Sequence, residues 1–293
     1  MTFKFNSREA VLVLVTFLWG GTFLGVQTAL QWAPPFALVG VRFGISALLL
    51  GTVLVLRGEL TQLTRQELLA GGVIGVWVYL GFGLQTAGLQ HIESSKSAFL
   101  TALYVPLVPL VLWAWKRHWP TRMAWLAIAM AVLGTYGLTG AQSLLQGWNA
   151  GDGLTIACAL AFALEIVTLG HFSKGCHPVR LAWVLTLTVA ALARPTSWAL
   201  GEGSVQWQWT FVWLITGLAS ITAFVQFAMS WAQQHVSETH ATLIYSMEPV
   251  WAAFVGALAG ERLGLWGMLG GALIVLAVWV GKIKPADSAP VPG

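Results

Sequence analysis

Apolar segments about as long as a bilayer is thick follow one another along almost the whole chain. A helix that crosses about 30 Å of hydrocarbon needs roughly 20 apolar residues, and ten segments of that length lie between clusters of charged and turn-forming residues. The sequence therefore predicts an all-α, polytopic membrane protein with ten transmembrane helices. The predicted spans are Ala10–Leu30, Phe36–Leu56, Glu67–Leu89, Ser94–Trp115, Met123–Ala141, Gly153–Phe172, Arg180–Leu200, Thr210–Gln233, Thr239–Ala259 and Leu263–Gly281.

The composition excludes a soluble globular protein. Hydrophobic residues make up 57% of the chain and charged residues 9%, with a mean hydropathy of +0.75, whereas a soluble domain is usually about 25% charged. Several of the 17 Trp residues lie beside charged residues or prolines, where an amphipathic ring anchors at the lipid headgroups. The net charge of +4 therefore belongs to membrane loops. We expect the lipid bilayer as a partner and no nucleic acid.

The distribution of Lys and Arg predicts the orientation of the chain. With ten spans and a cytoplasmic N-terminus, 11 of the 15 basic residues fall on the cytoplasmic side, as the positive-inside rule requires. Lys96 and Arg262 remain near the edges of outer loops, and Arg42 and Arg194 fall within spans. We therefore predict that both termini face the cytoplasm and that the protein lies in the bacterial inner (plasma) membrane.

An internal duplication relates the two halves of the chain. Lys96-Ser-Ala-Phe-Leu-Thr-Ala-Leu-Tyr-Val-Pro106 recurs loosely as Thr239-His-Ala-Thr-Leu-Ile-Tyr-Ser-Met-Glu-Pro249, an offset of 143 residues in a chain of 293. Spans 4 and 9 carry the two copies, and because these spans are five positions apart, an odd offset, the copies face opposite ways across the membrane. We predict two inverted five-helix repeats, at 1–142 and 143–281, and a cytoplasmic tail at 282–293.

Several classes of function lack their signatures in this sequence. Cys158 and Cys176 show neither a disulfide framework nor metal-ligand spacing, so we expect no metal and no cofactor. The chain contains no His-Glu-x-x-His, Gly-x-Ser-x-Gly or Gly-x-Gly-Asp motif of an intramembrane enzyme and no nucleotide-binding loop. Rings of like charge or a carbonyl filter, which would indicate a channel, are not visible either. A secondary transporter of a small-molecule substrate is the favoured interpretation, and an intramembrane enzyme is the less favoured alternative.

Four stretches resemble the EamA-type members of the drug/metabolite transporter superfamily. They are Phe17-Leu-Trp-Gly-Gly-Thr-Phe23, Arg42-Phe-Gly-Ile-Ser-Ala-Leu-Leu-Leu50, Met247-Glu-Pro-Val-Trp-Ala-Ala-Phe254 and Gly260-Glu-Arg-Leu-Gly264. The first half departs from the pattern, because Tyr104-Val-Pro106 lacks the acid and Lys116-Arg-His118 replaces Gly-Glu-Arg. The resemblance implies a ten-helix basket whose central cavity opens alternately to either side. Within the superfamily the chain is most similar to bacterial exporters of aromatic and neutral amino acids.

Prolines interrupt spans 4 and 9 at corresponding places. A proline removes a backbone hydrogen bond from a helix, and breaks at equivalent positions of two repeats mark a binding or moving region in many transporters. We predict that Pro106 and Pro249 are hinges. The alternative is that each proline only kinks its helix to fit a neighbour.

Ionisable residues within the spans are further candidates, because a charge at the bilayer centre costs about 2.5–3.5 kcal/mol on insertion scales. Glu165, in the middle of span 6, is predicted to bind a substrate ammonium group or to exchange a proton; the alternative is a hydrogen-bonded structural carboxyl. For Glu248 a structural role is favoured. Arg42 and Arg194 are expected to reach outward to the headgroups, and Lys96 is expected at the mouth of span 4.

Aromatic and amide side chains would complete an apolar site with a few fixed polar groups. The predicted substrate-binding residues besides Glu165 are Trp19, Tyr79, Tyr104, Trp183, Gln226 and Tyr245; for each, packing or lipid contact is the alternative. The spans offer no central pair of cations for a phosphate, so a neutral or zwitterionic amphipathic metabolite is favoured, with cationic compounds as the alternative. Glycine pairs four residues apart fit packing within a monomer or in a homodimer.

Overall fold

The computed structural model describes residues 6–117, 119–139, 148–251, 254 and 265–281. Its regular structure is helical, with eleven α-helices and one short 3-10 turn at Leu60–Gln62 in the described part of the chain. The α-helices are α1 (Ser7–Ala29), α2 (Pro35–Leu56), α3 (Arg65–Gly88), α4 (Ser94–Thr101), α5 (Tyr104–Lys116), α6 (Arg122–Thr139), α7 (Ala150–Phe172), α8 (Pro178–Ala199), α9 (Trp209–Ala232), α10 (Glu238–Tyr245) and α11 (Leu265–Val280). Helical structure also covers residues 248–251. The predicted tail and the Gly260-Glu-Arg262 turn lie outside the described residues.

The all-helical membrane fold predicted from the sequence is confirmed. Six segments are long and apolar enough to cross a membrane, namely α1, α2, α3, α7, α9 and the combined α4 and α5. The four remaining predicted spans coincide with α6, α8, α11 and the stretch that starts with α10. Each of the ten predicted spans thus contains helix among the described residues.

The same capping motif begins α1 and α7. Asn6 and Asn149 each cap the helix with their side chain and donate their backbone N–H to an acid three residues later, Glu9 at 3.0 Å and Asp152 at 2.8 Å. This reciprocal arrangement satisfies backbone donors that a helix start otherwise leaves without partners. Both pairs are offset by 143 residues, the spacing of the proline segments, so the duplication includes the first helix of each half.

Antiparallel contacts show that the two halves are inverted. Along α2, Gly40 faces Ala193 of α8 while Gly51 faces Trp183, so the two helices run in opposite directions. The equivalents in the other pair behave alike, since Gly134 of α6 lies against Gly270 and Ile274 of α11 and residue 137 lies against residue 266. At the 143-residue offset α2 is equivalent to α8, and α6 is equivalent to α11. Both contacts therefore lie on the pseudo-twofold axis that relates the two halves.

The remaining helix contacts occur in equivalent pairs. The packing of α1 on α9 matches that of α7 on α3, and the packing of α2 on α9 matches that of α8 on α3. Contact between α4 and α7 likewise has its counterpart between α10 and α1. The pseudo-symmetry is therefore a property of the whole bundle, and its helices surround a common centre.

The predicted helix breaks are present in both halves. A turn at residues 102–103 separates α4 from α5, and a turn at residues 246–247 separates α10 from the helical residues that follow. Pro106 and Pro249 lie in the first turn after each break, where a helix has no internal partner for a backbone N–H in any case. The breaks are confirmed, while movement about them stays a prediction.

Close packing of α3 on α8 depends on glycine, which gives a test of the fold. A Cβ on Gly75 would lie 2.6 Å from the Thr188 Cβ and 2.9 Å from the Leu185 carbonyl oxygen, whereas one on Gly72 would meet no atom within 4 Å. We expect Gly75→Ala to lower the free energy of unfolding by about 1–3 kcal/mol, the usual cost of overpacking. Thermal unfolding in detergent micelles measures the effect, with Gly72→Ala as the control. Equal midpoints for both variants would contradict this contact.

Candidate functional site

A narrow cavity lies at the centre of the bundle, with an empty volume of about 530 Å³ that includes its open mouth. Its aromatic walls are Trp19, Phe23, Phe82, Tyr104 and Phe162. Six polar side chains also face it, namely Thr22, Arg42, Gln85, Thr101, Glu165 and Glu248. An apolar cavity with a few convergent polar groups is the usual form of a small-molecule site.

Three of the predicted binding residues line this cavity. Two more lie behind its wall, Tyr245 against Trp19 and Gln226 beside Glu165. Trp19, Tyr104 and Glu165 contribute to the wall. Tyr245 packs edge-on against Trp19 with ring centroids 5.4 Å apart, and its hydroxyl oxygen accepts a hydrogen bond from the Nε2 of Gln233 at 2.7 Å. Tyr245 therefore supports the wall from outside.

Two predicted residues are not brought to the cavity. The Tyr79 hydroxyl lies 2.7 Å from Thr196 Oγ1, so this side chain joins α3 to α8. Trp183 lines a separate, largely apolar recess together with Leu48, Gly51 and other residues of α2 and α8. The sequence places both residues within spans, but the neighbours of each side chain come only from the tertiary structure.

Glu165 and Gln226 form a polar pair without the hydrogen bonds that buried groups normally make. Glu165 is only 2% exposed, and its Oε1 has no hydrogen-bond partner among the described residues. The side chain of Gln226 lies next to this carboxyl, yet neither of its amide atoms is within hydrogen-bond geometry of another described group. Because most buried polar groups are hydrogen-bonded, this pair is a candidate for contact with a bound solute or water.

Arg42 is also part of the cavity wall, and the prediction that it reaches outward is wrong. It is 4% exposed, and its Nε donates a hydrogen bond to Thr222 Oγ1 at 2.6 Å. The guanidinium carbon lies 5.1 Å from the ring centroid of Phe82. Although Arg42 is near the start of α2, the contacts with α3 and α9 turn its side chain toward the interior. Arg194, by contrast, is exposed and stacks on Trp198, as expected.

The two helix breaks each bring a polar side chain to the same cavity. Tyr104 is the first residue of α5, and Glu248 follows the second break directly. Tyr104 lies near Glu248, Tyr245 and Glu165. The structure therefore places Glu248 at the cavity wall, although a structural role was favoured from the sequence.

Contacts between an acid and a basic side chain join equivalent helices at the two opposite ends of the bundle. At one end the Lys96 Nζ lies 2.8 Å from Asp152 Oδ1, with side chains 4% and 1% exposed. At the other end His240 Nε2 lies 3.0 Å from Glu9 Oε1. Glu9 is the equivalent of Asp152 at the 143-residue offset, and His240 follows the equivalent of Lys96. Lys96 is thus buried in a pair, not placed at an open mouth as expected.

The end that carries Glu9 also has two contacts between a glutamate and a lysine or arginine. Lys116 Nζ lies 2.7 Å from Glu238 Oε1, and Arg180 Nε lies 2.9 Å from Glu67 Oε1. Sequence reasoning missed these pairs and the Asp152 pair, although the repeated Asn-x-x-acid motif at the starts of α1 and α7 was visible in the sequence. Within the described ranges no three His, Cys, Asp or Glu side chains come together as metal ligands do.

Comparison with known proteins identifies two matching segments. The profile of the EamA-like transporter family matches residues 8–140 and again residues 149–280. An uncharacterized transporter of Archaeoglobus fulgidus is 30% identical over 275 residues, which cover 93% of this chain and 85% of that protein. The uncharacterized inner membrane transporter YedA of Escherichia coli K12 is 25% identical, with coverage of 89% and 86%.

The fold itself has been observed by crystallography. One crystal structure superposes with a TM-score of 0.78 at 18% sequence identity, and the match covers 95% of this chain and 97% of the other. At this identity the likeness shows the fold alone.

The buried pair at the Lys96 end gives a test of the site's electrostatics. Lys96→Met leaves the Asp152 carboxylate buried without its cation, so we expect a loss of about 3–5 kcal/mol in the free energy of unfolding. Lys116→Met removes a pair whose lysine is 35% exposed, and we expect a loss of about 0–1 kcal/mol. Unfolding by SDS in mixed micelles compares the two variants. Equal losses would show that burial of the Lys96 pair has no energetic consequence.

Proposed function

Because the chain belongs to the EamA-like transporter family, we propose that this membrane transporter exports small amphipathic metabolites across the bacterial inner membrane by alternating access. Neutral and aromatic amino acids are the leading substrates. The observation that carries the proposal is one central cavity, with an arginine and two carboxyl groups in an aromatic wall, between two ends that equivalent polar side-chain contacts hold together.

Inverted repeats supply the movement. In an inverted pair of repeats each half can adopt the conformation of the other, which exchanges the open end of the cavity. The Lys96–Asp152 contact joins α4 to α7, and the His240–Glu9 contact joins α10 to α1. Rupture of one contact would free one end while its counterpart keeps the other end closed. The breaks before Pro106 and Pro249 would allow the two half-helices of spans 4 and 9 to tilt separately.

The chemistry of the wall favours a zwitterionic or neutral solute. Phosphate groups are usually held by two or more Arg or Lys side chains, and the described lining supplies Arg42 as its cation. Trp19, Phe82 and Phe162 offer apolar surface for a hydrophobic side chain. An amino acid with an apolar or aromatic side chain matches both features.

A second candidate function is efflux of cationic compounds. Glu165 and Glu248 both line the cavity, and aromatic faces attract organic cations by about 0.5–2 kcal/mol each. Two carboxyl groups in an aromatic wall are the specific observation that favours this alternative.

Transport by the purified protein separates the two candidates. In liposomes loaded with unlabelled solute, we expect saturable counterflow of radiolabelled neutral and aromatic amino acids. The same liposomes are tested with cationic dyes, and protein-free liposomes give the background. Tyr136→Phe, an exposed tyrosine of α6, is expected to transport at the wild-type rate. Saturable transport of the dyes alone would overturn the amino-acid proposal and favour cation efflux.

Accessibility of Cys158 tests the roles of the end contacts. The Cys158 Sγ lies 3.7 Å from the Oγ1 of Thr101, a residue of the cavity wall. In a Cys176→Ser background, we expect Lys96→Met to raise the rate of Cys158 alkylation by a membrane-impermeant maleimide several-fold from the Asp152 side. Glu9→Gln, which weakens the opposite end, should leave that rate unchanged or lower it. Equal effects of both substitutions would contradict separate control of the two ends.

A further inference from the structure

We propose that Arg42 binds the carboxylate of the transported solute and that Glu165, beyond the aromatic pair of Phe82 and Phe162, receives its ammonium group. The inference rests on the proposed function and deepens it, because it names the substrate class as zwitterions with an apolar side chain. The alternative substrate for the same cavity is an organic cation that carries no carboxylate.

The guanidinium of Arg42 is buried without an anionic partner in the described structure. Its Nε is hydrogen-bonded to Thr222, but its Nη2 has no partner among the described residues. None of the carboxylates in the described ranges lies within the 4.0 Å that defines an ion pair with it. The Phe82 ring, 5.1 Å away, offsets only part of the cost of burying the charge. The unoccupied side of the guanidinium therefore suits an anion that enters the cavity.

Neighbouring residues fix the direction of this side chain. The Thr222 hydroxyl donates its proton to the Leu218 carbonyl at 2.8 Å, so it presents a lone pair to the Arg42 Nε. The Ser46 hydroxyl lies 2.8 Å from the carbonyl oxygens of both Arg42 and Ala219, which holds α2 against α9. Arg42 is thus held by a rigid support, with its terminal nitrogens left for a bidentate contact with a carboxylate.

Glu165 forms the opposite pole of the same wall. It lies one helical turn after Phe162, whose ring packs edge-on against Phe82 with centroids 5.2 Å apart. Phe82 in turn lies under the Arg42 guanidinium. Arg42 and Glu165 line the same cavity as these rings, and no ion pair joins the two in the described structure. A solute that carries both an ammonium group and a carboxylate can satisfy both poles, while its apolar side chain contacts the rings.

This arrangement predicts which solutes the cavity rejects. A cation without a carboxylate leaves Arg42 buried and unpaired, and an anion without an amine does the same to Glu165. Sites built to pair with a polar group discriminate strongly against analogues that lack it, because the protein group is then left without a partner. The cavity would therefore select a solute by its carboxylate and its ammonium group together.

Three ligands test the assignment: phenylalanine, phenethylamine, which lacks the carboxylate, and 3-phenylpropionate, which lacks the amine. Saturable binding to the purified protein and counterflow in liposomes are both measured. We expect the wild type to prefer phenylalanine at least tenfold. Arg42→Gln should weaken phenylalanine binding at least tenfold and leave phenethylamine unchanged or improved. Glu165→Gln should also weaken phenylalanine binding but leave 3-phenylpropionate unchanged or improved.

Two further variants serve as controls. Arg194→Gln removes an exposed guanidinium outside the cavity, and its three affinities should equal those of the wild type. Arg42→Lys keeps the positive charge without the planar fork, so it should retain part of the preference for phenylalanine over phenethylamine. Because this variant retains the buried cation, it tests the assignment even where Arg42→Gln does not fold.

The outcomes separate failure of the inference from failure of the proposed function. If the wild type binds phenylalanine and phenethylamine equally well, or if Arg42→Gln weakens all three ligands to the same extent, Arg42 is a packing residue and the inference is wrong. Amino-acid transport would then still stand. If the wild type shows no saturable binding or transport of any carboxylate-bearing ligand, both the inference and the amino-acid proposal are wrong.

Discussion

Charged side chains buried in a helix bundle need partners, because no water is present there to replace the hydrogen bonds and solvation they lose. Two groups of charges in this protein meet that requirement in different ways. Lys96 and Asp152 neutralise each other at one end of the bundle. Arg42 and Glu165 instead face a central cavity, and each has a polar atom without a partner in the described structure. The ion pairs hold the bundle together, and the unpaired groups mark the place where a solute would complete it.

The scaffold is symmetric but the site is not. Equivalent helices pack in equivalent ways, and Asn6 and Asn149 begin their helices with the same motif. Yet the acid at one end pairs with a lysine and the acid at the other with a histidine. The two helix breaks likewise contribute a phenol in one half and a carboxyl in the other. Duplication therefore explains the equivalent packing of the helices. Divergence of single side chains explains why the two halves contribute different polar groups to one cavity.

The structure brings only some of the predicted site residues to one cavity, namely Trp19, Tyr104 and Glu165. Glu165 was predicted to bind the solute because an ionisable carboxyl in the middle of a span is energetically costly. The structure places it in the wall of the cavity. Tyr79 was predicted as a polar contact and Trp183 as an apolar wall, but Tyr79 joins α3 to α8 and Trp183 lines a separate recess between α2 and α8. In a membrane helix both faces are apolar, so periodicity says little about which face is interior. Arg42 was assigned outward from its depth alone, and only its neighbours on α3 and α9 show otherwise.

The local features of this protein follow from its amino-acid sequence: the helical class, the number of spans, their approximate ends, the breaks before Pro106 and Pro249, and the duplication. These features depend on the length of apolar segments and on residues such as proline, whose effects act within a few positions along the chain. The tertiary structure alone decided which side chains meet, including Lys96 with Asp152 and Arg42 with Thr222 and Phe82. Lys96 and Asp152 are 56 positions apart in the chain, and Arg42 and Thr222 are 180 positions apart. The rotation of each helix about its axis determines them, and this rotation is set by packing against all the neighbouring helices together.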